Sequence, residues 1–553
     1  MKLYIKLYIK RKFYKIIMIS YPKHRKETNG LWSILKNKFQ EKRFLSKRFK
    51  MKYTNNSKSI VDSIINLKDR DYFKGTVQIM RKIQPGPVVL AVSDGYGTID
   101  AVSKECNFNV RDVVDLEGDV SERAGKLQIE IRSIKASAKD FTAIIDIKSK
   151  PTERSLSILS KKLEMLRPHF IRIAQRIRKA IISNQPILIR HHADADGITS
   201  GLAIEKACEL FMREIKIEPE YALFRSPSKA PFYETVDMLK DISFNKRLLE
   251  SHGQKKPLIV VLDNGSTPED IFAVKTLKTL GFDVIVIDHH NPVVLKEGKT
   301  AVCPYLLDHL NPYMHGFDGQ ISAGMLCYEI ARLIHQDFNE PLLPAVSALG
   351  DRSNLPEAEL YLKNTHLELD RIKKMVIAID FLAYQLRFDS GEGIYEDVFT
   401  NQAFVEILNQ EVMKGVETQL QSTLPYLRTQ DINGIIYSYI DIEKYTLRFT
   451  YPTPGKVVGM IHDTVSLGKE HMPVITIGYL SDMVILRATK PVLPLAQIIK
   501  KLQKDIPEAV VDGGGHECAG TIKFVSAHLT AILENIKQQI RNVNYIEKKQ
   551  VAQ

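Results

Sequence analysis

The periodicity of apolar residues changes several times along this chain of 553 residues. Between residues 70 and 138, five short apolar or alternating runs are separated by the turn-forming pairs Pro85-Gly86, Asp94-Gly95 and Glu117-Gly118. Five strands in so short a stretch predict a small OB-type β-barrel, an architecture that often binds single-stranded nucleic acid. The strands carry almost no aromatic residues, so a barrel that contacts another protein is the alternative.

Helical spacing of leucine and isoleucine over residues 153–184 predicts a connector helix, which Pro168 kinks. From residue 186 to residue 355, continuous apolar strands alternate with helices. This pattern predicts an α/β domain with a parallel sheet covered on both faces. Residues 356–430 are predicted to be mostly helical, and residues 431–545 to form a second, smaller α/β domain.

The positive charge is concentrated at the beginning of the chain. The net charge is +13, yet residues 1–52 contain 17 Lys and Arg against two Glu. The net charge of the remaining residues is therefore close to zero. Two interpretations stay open. The segment is an arm that binds nucleic-acid phosphates, or it results from an over-long reading frame whose true start is Met51. The body of the chain offers no basic excess that argues for nucleic acid.

Composition and cysteine use favour a cytoplasmic protein. No stretch reaches the ~18 apolar residues of a membrane span, and lysine or arginine interrupts the hydrophobic opening every few residues, unlike the core of a signal peptide. The five cysteines are scattered and form no CxxC pair, which argues against disulfides and against a thiolate zinc site.

Four clusters of carboxylates and imidazoles stand out in the predicted parallel-sheet domain, each predicted to follow a strand. They are "HHADADG" (His191, His192, Asp194, Asp196), "LDNGS" (Asp263), "DHH" (Asp288, His289, His290) and "SALGD" (Asp351). Ligands of such sheets bind beyond the carboxyl ends of the strands. The set contains oxygen and imidazole donors without thiolates, which suits Mn²⁺ or Mg²⁺.

The number of carboxylates predicts two ions. Several carboxylates at one sheet edge repel each other unless cations neutralise them, and two divalent ions ~3.5–4 Å apart would do so while clamping a phosphoryl displacement. Taken singly, Asp-x-Asp before a glycine is more often a turn or a helix cap, and Asp263 before Asn-Gly is also a plausible turn. The pair of histidines after the apolar strand "VIVI" has no packing rationale.

The order of these motifs resembles the DHH phosphoesterase family. The later "GGGHECAG" resembles the glycine-rich motif of the DHH-associated C-terminal domain, and the match covers roughly residues 186–545. With the leading barrel, the chain resembles archaeal members of the RecJ-like branch of single-strand nucleases. The resemblance implies a DHH domain with a parallel sheet, a DHH-associated α/β domain after it, and a catalytic centre with two Mn²⁺ or Mg²⁺ ions.

The resemblance also assigns the metal ligands. Asp194 and Asp196 would each bind one ion, and Asp263 would bridge the two. His289 and Asp351 would complete the shell of the second ion. Many relatives place a metal-binding histidine four residues before the first aspartate of this motif. That position is Arg190 here, and His192 is the candidate substitute.

Catalytic and substrate-binding roles follow in the same way. Asp288 would orient the histidines, and His290 would face the scissile phosphate. Exposed backbone N–H groups at Gly513, Gly514 and Gly515, beside His516, would bind a phosphate of the substrate, although glycines in a turn are the simpler interpretation. Arg487 in "ILRATK" is a weaker candidate for a second phosphate contact.

The sequence therefore predicts a metal-dependent single-strand exonuclease. Its expected partners are single-stranded DNA or RNA and proteins of replication or DNA repair, with no membrane. Two alternatives stay open: a phosphodiesterase of short oligonucleotides or cyclic dinucleotides, and a weakly active scaffold subunit of a replication complex. The scaffold would predict eroded motifs, and nearly every ligand is intact. The barrel favours polymers, because small substrates need no additional binding module.

Overall fold

Residues 59–543 are described by the computed structural model, except residues 85, 96, 152, 294, 388, 392, 448 and 449. The basic segment 1–52 lies outside the described residues. The predicted fold class is confirmed, since an OB-type barrel precedes an α/β domain with a parallel sheet and a second α/β domain.

A closed five-stranded barrel forms the first domain. Its strands pair in the order β2-β3-β4-β6-β5, and β5 pairs back with β2. All neighbours are antiparallel except β4 and β6, and β1 adds a short parallel pair outside the ring. The strands are β1 (Ile60–Val61), β2 (Tyr72–Ile83), β3 (Val88–Ser93), β4 (Thr98–Ser103), β5 (Val113–Arg123) and β6 (Lys126–Ala136).

One predicted turn of the barrel is wrong. Glu117 and Gly118 lie inside β5, where the register with β6 shifts between them. A Cβ atom at Gly118 would lie 2.5 Å from the carbonyl oxygen of Glu130. The glycine therefore permits the close approach of two strands at a bulge, and it does not end a strand.

Two helices connect the barrel to the parallel sheet, α1 (Phe141–Lys148) and α2 (Lys161–Ile182). The second begins at Lys161 because the Ser160 side chain accepts a hydrogen bond from the backbone N–H of Leu163, 3.2 Å away, and so caps it. The preceding segment is tied to the α/β domain through Ser157, whose side chain bonds Glu329. The connector helix is consequently shorter than the apolar pattern predicts.

The α/β domain has a five-stranded sheet in the order β13-β10-β9-β7-β8, and every pair is parallel. Its strands are buried on both faces, as the apolar runs predict. The strands are β7 (Ile187–His192), β8 (Leu223–Ser228), β9 (Leu258–Leu262), β10 (Asp283–Ile287) and β13 (Asp308–Leu310), with a hairpin of β11 (Leu295–Lys296) and β12 (Lys299–Thr300). The helices are α3 (Ala195–Glu214), α4 (Thr235–Phe244), α5 (Ile271–Thr279), α6 (Ala323–Ile334) and α7 (Leu342–Gly350).

Asp351 does not follow a strand, and this part of the sequence prediction is wrong. It caps the C-terminus of helix α7. The run "AVSAL" is a buried helix, which periodicity alone does not distinguish from a buried strand at this length. Helix α7 packs against α3 closely enough that a Cβ atom at Gly350 would lie 2.8 Å from Ala195 Cβ.

A helical region separates the two α/β domains. It contains α8 (Pro356–Asn364), α9 (Leu369–Gln385), α10 (Ile394–Thr400) and α11 (Gln402–Thr423). Apolar residues of α8, α9, α10 and α11 extend the core of the parallel-sheet domain. These helices therefore form a continuous support between that domain and the second sheet.

The C-terminal domain has a mixed six-stranded sheet in the order β14-β15-β16-β17-β19-β18. Two separate cores cover its faces, one with helices α14 and α15 and the other with α13. The strands are β14 (Arg428–Ile432), β15 (Ile435–Asp441), β16 (Val474–Tyr479), β17 (Met483–Ala488), β18 (Asp512–His516) and β19 (Ala519–Lys523). The helices are α12 (Ile442–Tyr445), α13 (Pro454–Ser466), α14 (Leu495–Asp505) and α15 (Leu529–Arg541).

The barrel docks at the amino edge of the parallel sheet. The backbone N–H of Thr98 bonds the carbonyl of Ile215, just after α3 ends, at 3.2 Å. Nearby, Lys216 Nζ donates to the carbonyl of Ile65 at 2.7 Å. Helix α3 runs from the opposite, carboxyl edge, and its 20 residues span about 30 Å. The barrel is therefore far from the candidate site described below.

Among the helices of the described residues, none is both long and apolar enough to cross a membrane.

Candidate metal centre

Consecutive elements of the parallel sheet end at one point. Strand β7 ends in His192, and Asp194 then caps helix α3 by accepting a hydrogen bond from the backbone N–H of Gly197 at 3.0 Å. Asp263 follows β9 directly, and Asp288 follows β10. The helix cap that the Asp-x-Asp pattern favours is therefore present, and the same carboxylate also faces the centre.

Asp263 lies between two groups of donors. Its side chain is 1% exposed and neither of its oxygens has a well-aligned hydrogen-bond partner. Its Oδ2 is 3.5 Å from His192 Nδ1, whereas its Oδ1 is 3.2 Å from His289 Nε2. Its backbone is left-handed, with φ of 57°, which costs a non-glycine residue energy and is typical of functional sites.

The first group consists of His192, Asp194 and Asp263. His192 Nδ1 is 2.9 Å from Asp194 Oδ2, and one ligand atom from each residue lies within 4.8 Å of the others. Burial opposes the charge on both residues of this pair, but the neighbouring carboxylates raise the pKa of His192 and the imidazole lowers the pKa of Asp194. The pocket thus stabilises positive charge at His192.

The second group consists of Asp196, His289 and Asp351, with Asp263 shared. His289 Nε2 is 3.0 Å from Asp351 Oδ2 and 3.6 Å from Asp196 Oδ2. Its other nitrogen, Nδ1, bonds the carbonyl of Gly319 at 2.7 Å, which turns Nε2 toward the carboxylates. Burial lowers the pKa of His289, but the charge of Asp351 and the other carboxylates raise it well above its ordinary value.

Asp196 is fixed by the N-terminus of helix α6. Its Oδ2 accepts from the N–H of Ala323 at 2.9 Å, and its Oδ1 accepts from the N–H of Gly324 at 2.7 Å and from Ser347 Oγ at 2.6 Å. Burial, and next the negative charge of Asp263, nevertheless raise the pKa of Asp196 well above its ordinary value. The centre therefore holds more negative charge than its own hydrogen bonds neutralise.

Asp288 binds the backbone of its own loop and one imidazole. Its Oδ1 accepts from the N–H of His289 at 2.8 Å and from His290 Nδ1 at 2.8 Å, while its Oδ2 accepts from the N–H of Ser266 at 3.1 Å. Burial lowers the pKa of His290, but contact with Asp288 outweighs it and raises that pKa. Asp288 thus holds His290 through Nδ1, and the expectation that it orients a catalytic histidine stays a prediction.

The donor set fits hard divalent cations. Buried carboxylate oxygens and imidazole nitrogens are the ligands that Mn²⁺ and Mg²⁺ take in proteins. His192 Nδ1 and both oxygens of Asp263 are buried atoms without an aligned partner, and such atoms are costly unless something binds them. Two groups could each hold an ion, namely His192, Asp194 and Asp263, and Asp196, His289 and Asp351; Asp263 connects them because it also groups with His289 and His290.

Arg190 is not part of the centre. Its side chain is 2% exposed, pairs with Asp241 of α4, and donates to the carbonyl of Pro227 at 2.9 Å. Tyr233 Oη donates to the same carboxylate at 2.6 Å. The arginine therefore anchors α4 behind the sheet, and His192 is the imidazole at this end of the metal centre.

Arg487 and Gly514 share one face of the C-terminal sheet. Register pairs Gly514 with Thr521, Thr521 with Ile485 and Arg487 with Ala519, so these positions face helix α13. A Cβ atom at Gly514 would meet nothing within 4 Å. The side chain of His516 lies outside the described part of the chain.

Gly513 and Gly515 face the opposite side of that sheet. Added Cβ atoms would lie 2.3 Å from the carbonyl oxygen of Thr521 and 2.4 Å from that of Ala519, and Gly515 has φ of 137°. These two glycines are therefore required by the close pairing of β18 and β19, whereas Gly514 leaves its surface open.

Sequence reasoning missed Lys456, a cation that the C-terminal domain brings to the centre. Lys456 lies in the first turn of α13 and pairs with Asp380 of α9. Burial lowers the pKa of Lys456, but Asp380 raises it above its ordinary value, and the ammonium in turn helps to lower the pKa of Asp194. No local pattern identifies a contact between residues so distant in sequence.

Arg352 directly follows Asp351 and adds a second cation near the candidate metal centre. Its Nη2 is 3.4 Å from Asp463 Oδ2 of α13. Burial, and next the positive charge of Arg352, lower the pKa of Arg487. Arg352 and Arg487, one from each domain, are therefore close enough for their charges to interact.

The chain is similar to proteins with a DHH domain. Residues 186–349 match the DHH family, N-terminal domain. An uncharacterized protein of Methanocaldococcus jannaschii, MJ1198, is 37% identical over 542 residues, which cover 88% of this chain and 71% of that protein.

One solved structure with a DHH domain is also similar to this chain. The DHH domain of PF0399, a member of a family of ribosomal proteins, is 36% identical with a TM-score of 0.71 over 73% of this chain and 97% of that one. RecJ from Thermus thermophilus in complex with Mn²⁺ is 14% identical with a TM-score of 0.47, over 72% of this chain and 58% of that one. The latter similarity is too low to support a functional argument.

Proposed function

Because this chain belongs to the DHH family, we propose that it is a metal-dependent phosphodiesterase that hydrolyses single-stranded nucleic acid, as an exonuclease. One observation carries the proposal. The two oxygens of the buried, unsatisfied Asp263 face two different groups of donors. A carboxylate in that position is suited to bridge two cations.

Eight side chains would take part at the centre. His192 and Asp194 would hold one ion, and Asp196, His289 and Asp351 the other, with Asp263 between them. When bound, two divalent cations supply an activated water and stabilise the charge that develops on the phosphoryl group. His290, held through Nδ1 by Asp288, would present Nε2 to a non-bridging phosphate oxygen as a hydrogen-bond donor.

The C-terminal domain would hold the rest of the strand. Lys456 and Arg487 would contact phosphates next to the scissile one, since charge-assisted hydrogen bonds suit such anions. The open surface at Gly514 would allow a phosphate to approach the backbone of β18. The proposed roles of Gly513 and Gly515 are indirect, because they shape this strand without facing Arg487.

The distance of the barrel from the centre bears on the short-oligonucleotide alternative. A strand that reaches both sites must span about 30 Å, roughly nine nucleotides at 3.4 Å per stacked nucleotide. The barrel's cations Lys74, Arg123 and Arg132 each pair with an acidic neighbour, so their charges are already partly neutralised. If the barrel binds the strand, oligonucleotides of twenty residues should be cleaved more efficiently than those of five.

The test is digestion of 5′- and 3′-labelled single-stranded DNA and RNA, five and twenty residues long, with Mn²⁺ present. We expect stepwise shortening from one end, little cleavage of duplex, and loss of at least ~10³ in rate in Asp263→Ala, because the ions supply both nucleophile and charge stabilisation. Asp283→Ala, at the exposed amino end of β10, is the matched control. Metal-independent cleavage, or normal activity of Asp263→Ala, would overturn the proposal.

A further inference from the structure

A second cavity lies along β13, the edge strand of the parallel sheet. Its volume is about 790 Å³, within the range of pockets that hold small molecules. Helix α2 contributes His169 and Arg172 to one wall, and the segment from Lys296 to His309 forms the other. Among the described residues that line it, none belongs to the candidate metal centre.

Two lysines at the rim face each other across a hairpin. Lys296 of β11 and Lys299 of β12 are directly paired in antiparallel register, so their side chains emerge on the same face. Both are exposed, and within the described residues neither forms an ion pair. Like charges directly opposite each other destabilise a strand pair, and an anion bound between them would remove that cost.

The inner wall of the cavity adds to the positive charge. Asp308 is its acidic lining residue in the described part of the chain, and two guanidinium groups already bind it. Arg172 donates through Nε and Nη2 at 2.8 and 2.7 Å, and Arg176 through Nε at 2.7 Å. One carboxylate therefore faces two arginines, which leaves one positive charge there, and the two lysines add two more to the cavity.

The rest of the wall is apolar, with a few polar atoms at one point. Thr300 Oγ1, Cys303 Sγ and His309 Nδ1 lie 3.2–3.3 Å from each other. Apolar side chains complete the surface, namely Ala301, Pro304, Leu306, Leu307 and Met314. A ligand that fits carries an anionic group at one end and a flat, largely apolar body with hydrogen-bonding edges at the other. Met314 suits an aromatic ring in particular.

We propose that this cavity binds a nucleoside monophosphate. Its phosphate would lie between Lys296 and Lys299, within reach of Arg172, and its base would lie against the apolar wall. The inference concerns binding only and does not rest on the proposed nuclease activity. The cavity is connected to the catalytic loop, because His309 Nε2 is 2.9 Å from Ser266 Oγ and the N–H of Ser266 donates to Asp288.

Cys303 reports occupancy of this cavity separately from the metal centre. It lines the cavity and is half-buried, so its alkylation can be followed by peptide mass spectrometry, with Cys106 and Cys518 as internal controls. In EDTA, saturating AMP should slow alkylation of Cys303 by at least about fivefold, because a ligand at about four times its Kd leaves only about one fifth of the sites free. Alkylation of Cys106 and Cys518 should not change.

The variant Lys296→Ala/Lys299→Ala should lose this protection. Lys275→Ala/Lys278→Ala removes the same charge from exposed positions on α5 and should keep it. Equilibrium dialysis with radiolabelled AMP should also show one bound AMP fewer per chain in the first variant. Equal protection by inorganic phosphate would overturn the nucleoside assignment. The site would be overturned if AMP did not protect Cys303 and the Lys296→Ala/Lys299→Ala variant bound as much AMP as the wild type. It would also be overturned if protection survived in that variant.

Discussion

Arg190 and Asp241 form an ion pair in which each side chain is only 2% exposed. The pair joins β7 to α4 behind the sheet, two residues before the strand reaches the metal centre at His192. Arg190 therefore contributes to the packing of α4. The candidate metal centre still has an imidazole at this end, because His192 supplies it.

Replacing Arg190 with histidine should destabilise the protein and should not tighten Mn²⁺ binding. Breaking a buried ion pair leaves an uncompensated carboxylate and typically costs about 3–5 kcal/mol. Urea unfolding in EDTA measures the loss, and Mn²⁺ titration measures the affinity. If Arg190→His bound Mn²⁺ more tightly at unchanged stability, position 190 would belong to the metal centre after all.

Gly514→Val should separate substrate binding from folding. A Cβ atom added there meets nothing within 4 Å, and valine suits a strand, so the free energy of unfolding should change by less than about 0.5 kcal/mol. Cleavage of a single-stranded oligonucleotide should fall at least about tenfold, because the side chain blocks the approach of a phosphate. Hydrolysis of bis-p-nitrophenyl phosphate should fall less.

Gly513→Ala is the contrasting variant for that experiment. Its Cβ atom would overlap the backbone of β19, so it should lower stability on its own. If Gly514→Val lost the same fraction of activity on both substrates, β18 would lie at the chemical centre. Undiminished oligonucleotide cleavage would mean that the motif is only structural.

Lys456→Met should weaken binding of the polymer more than the chemical step. The lysine comes from the C-terminal domain and lies close enough to Asp194 to affect its pKa. We expect kcat/KM on an oligonucleotide to fall about tenfold, or about 1.4 kcal/mol, the size of a hydrogen bond to a charged group. Lys469→Met, three residues beyond the C-terminal end of α13, should leave kcat/KM unchanged. A loss of the same size in both variants would remove Lys456 from the substrate site.

The stability of the protein should depend on pH through His309. Burial lowers the pKa of His309 to about 4 in the folded state, against about 6.5 in an unfolded chain. The unfolded state thus binds more protons between those values, so this contribution is complete above pH 6.5 and is lost as pH falls toward 4. His309→Asn should reduce the slope of unfolding free energy against pH in this window by up to about 1.4 kcal/mol per pH unit. Parallel profiles for the two proteins would contradict this assignment.

The sequence predicted those parts of the centre that follow apolar strands. His192, Asp263 and Asp288 each lie at or directly after the end of a buried strand of the parallel sheet, and the rule for carboxyl edges applies to them without further information. Asp351 reaches the same point from a helix, through the packing of α7 against α3. Its place in the centre could be inferred from motif order but not from the pattern of apolar residues.

The parts that could not be predicted depend on contacts between distant segments. Lys456 meets Asp380 across two domains, and Lys296 and Lys299 face each other only because a short hairpin sets their register. In the strand register, the Cα positions of Gly513 and Gly515 point to the face opposite Arg487, and their role in phosphate binding stays a prediction. The side-chain direction of the rim lysines and of these glycines follows from strand register, and the position of Lys456 follows from the packing of two helices; an apolar pattern determines neither.

The proposed bridging role of Asp263 is tested most directly by counting bound Mn²⁺ with electron paramagnetic resonance. The wild-type chain and Asp283→Asn should each bind two Mn²⁺, while Asp263→Asn should lose at least one and hold the other more weakly, since it removes the carboxylate that lies beside both His192 and His289. Two Mn²⁺ bound by Asp263→Asn with unchanged affinity would contradict the two-ion centre proposed for this chain.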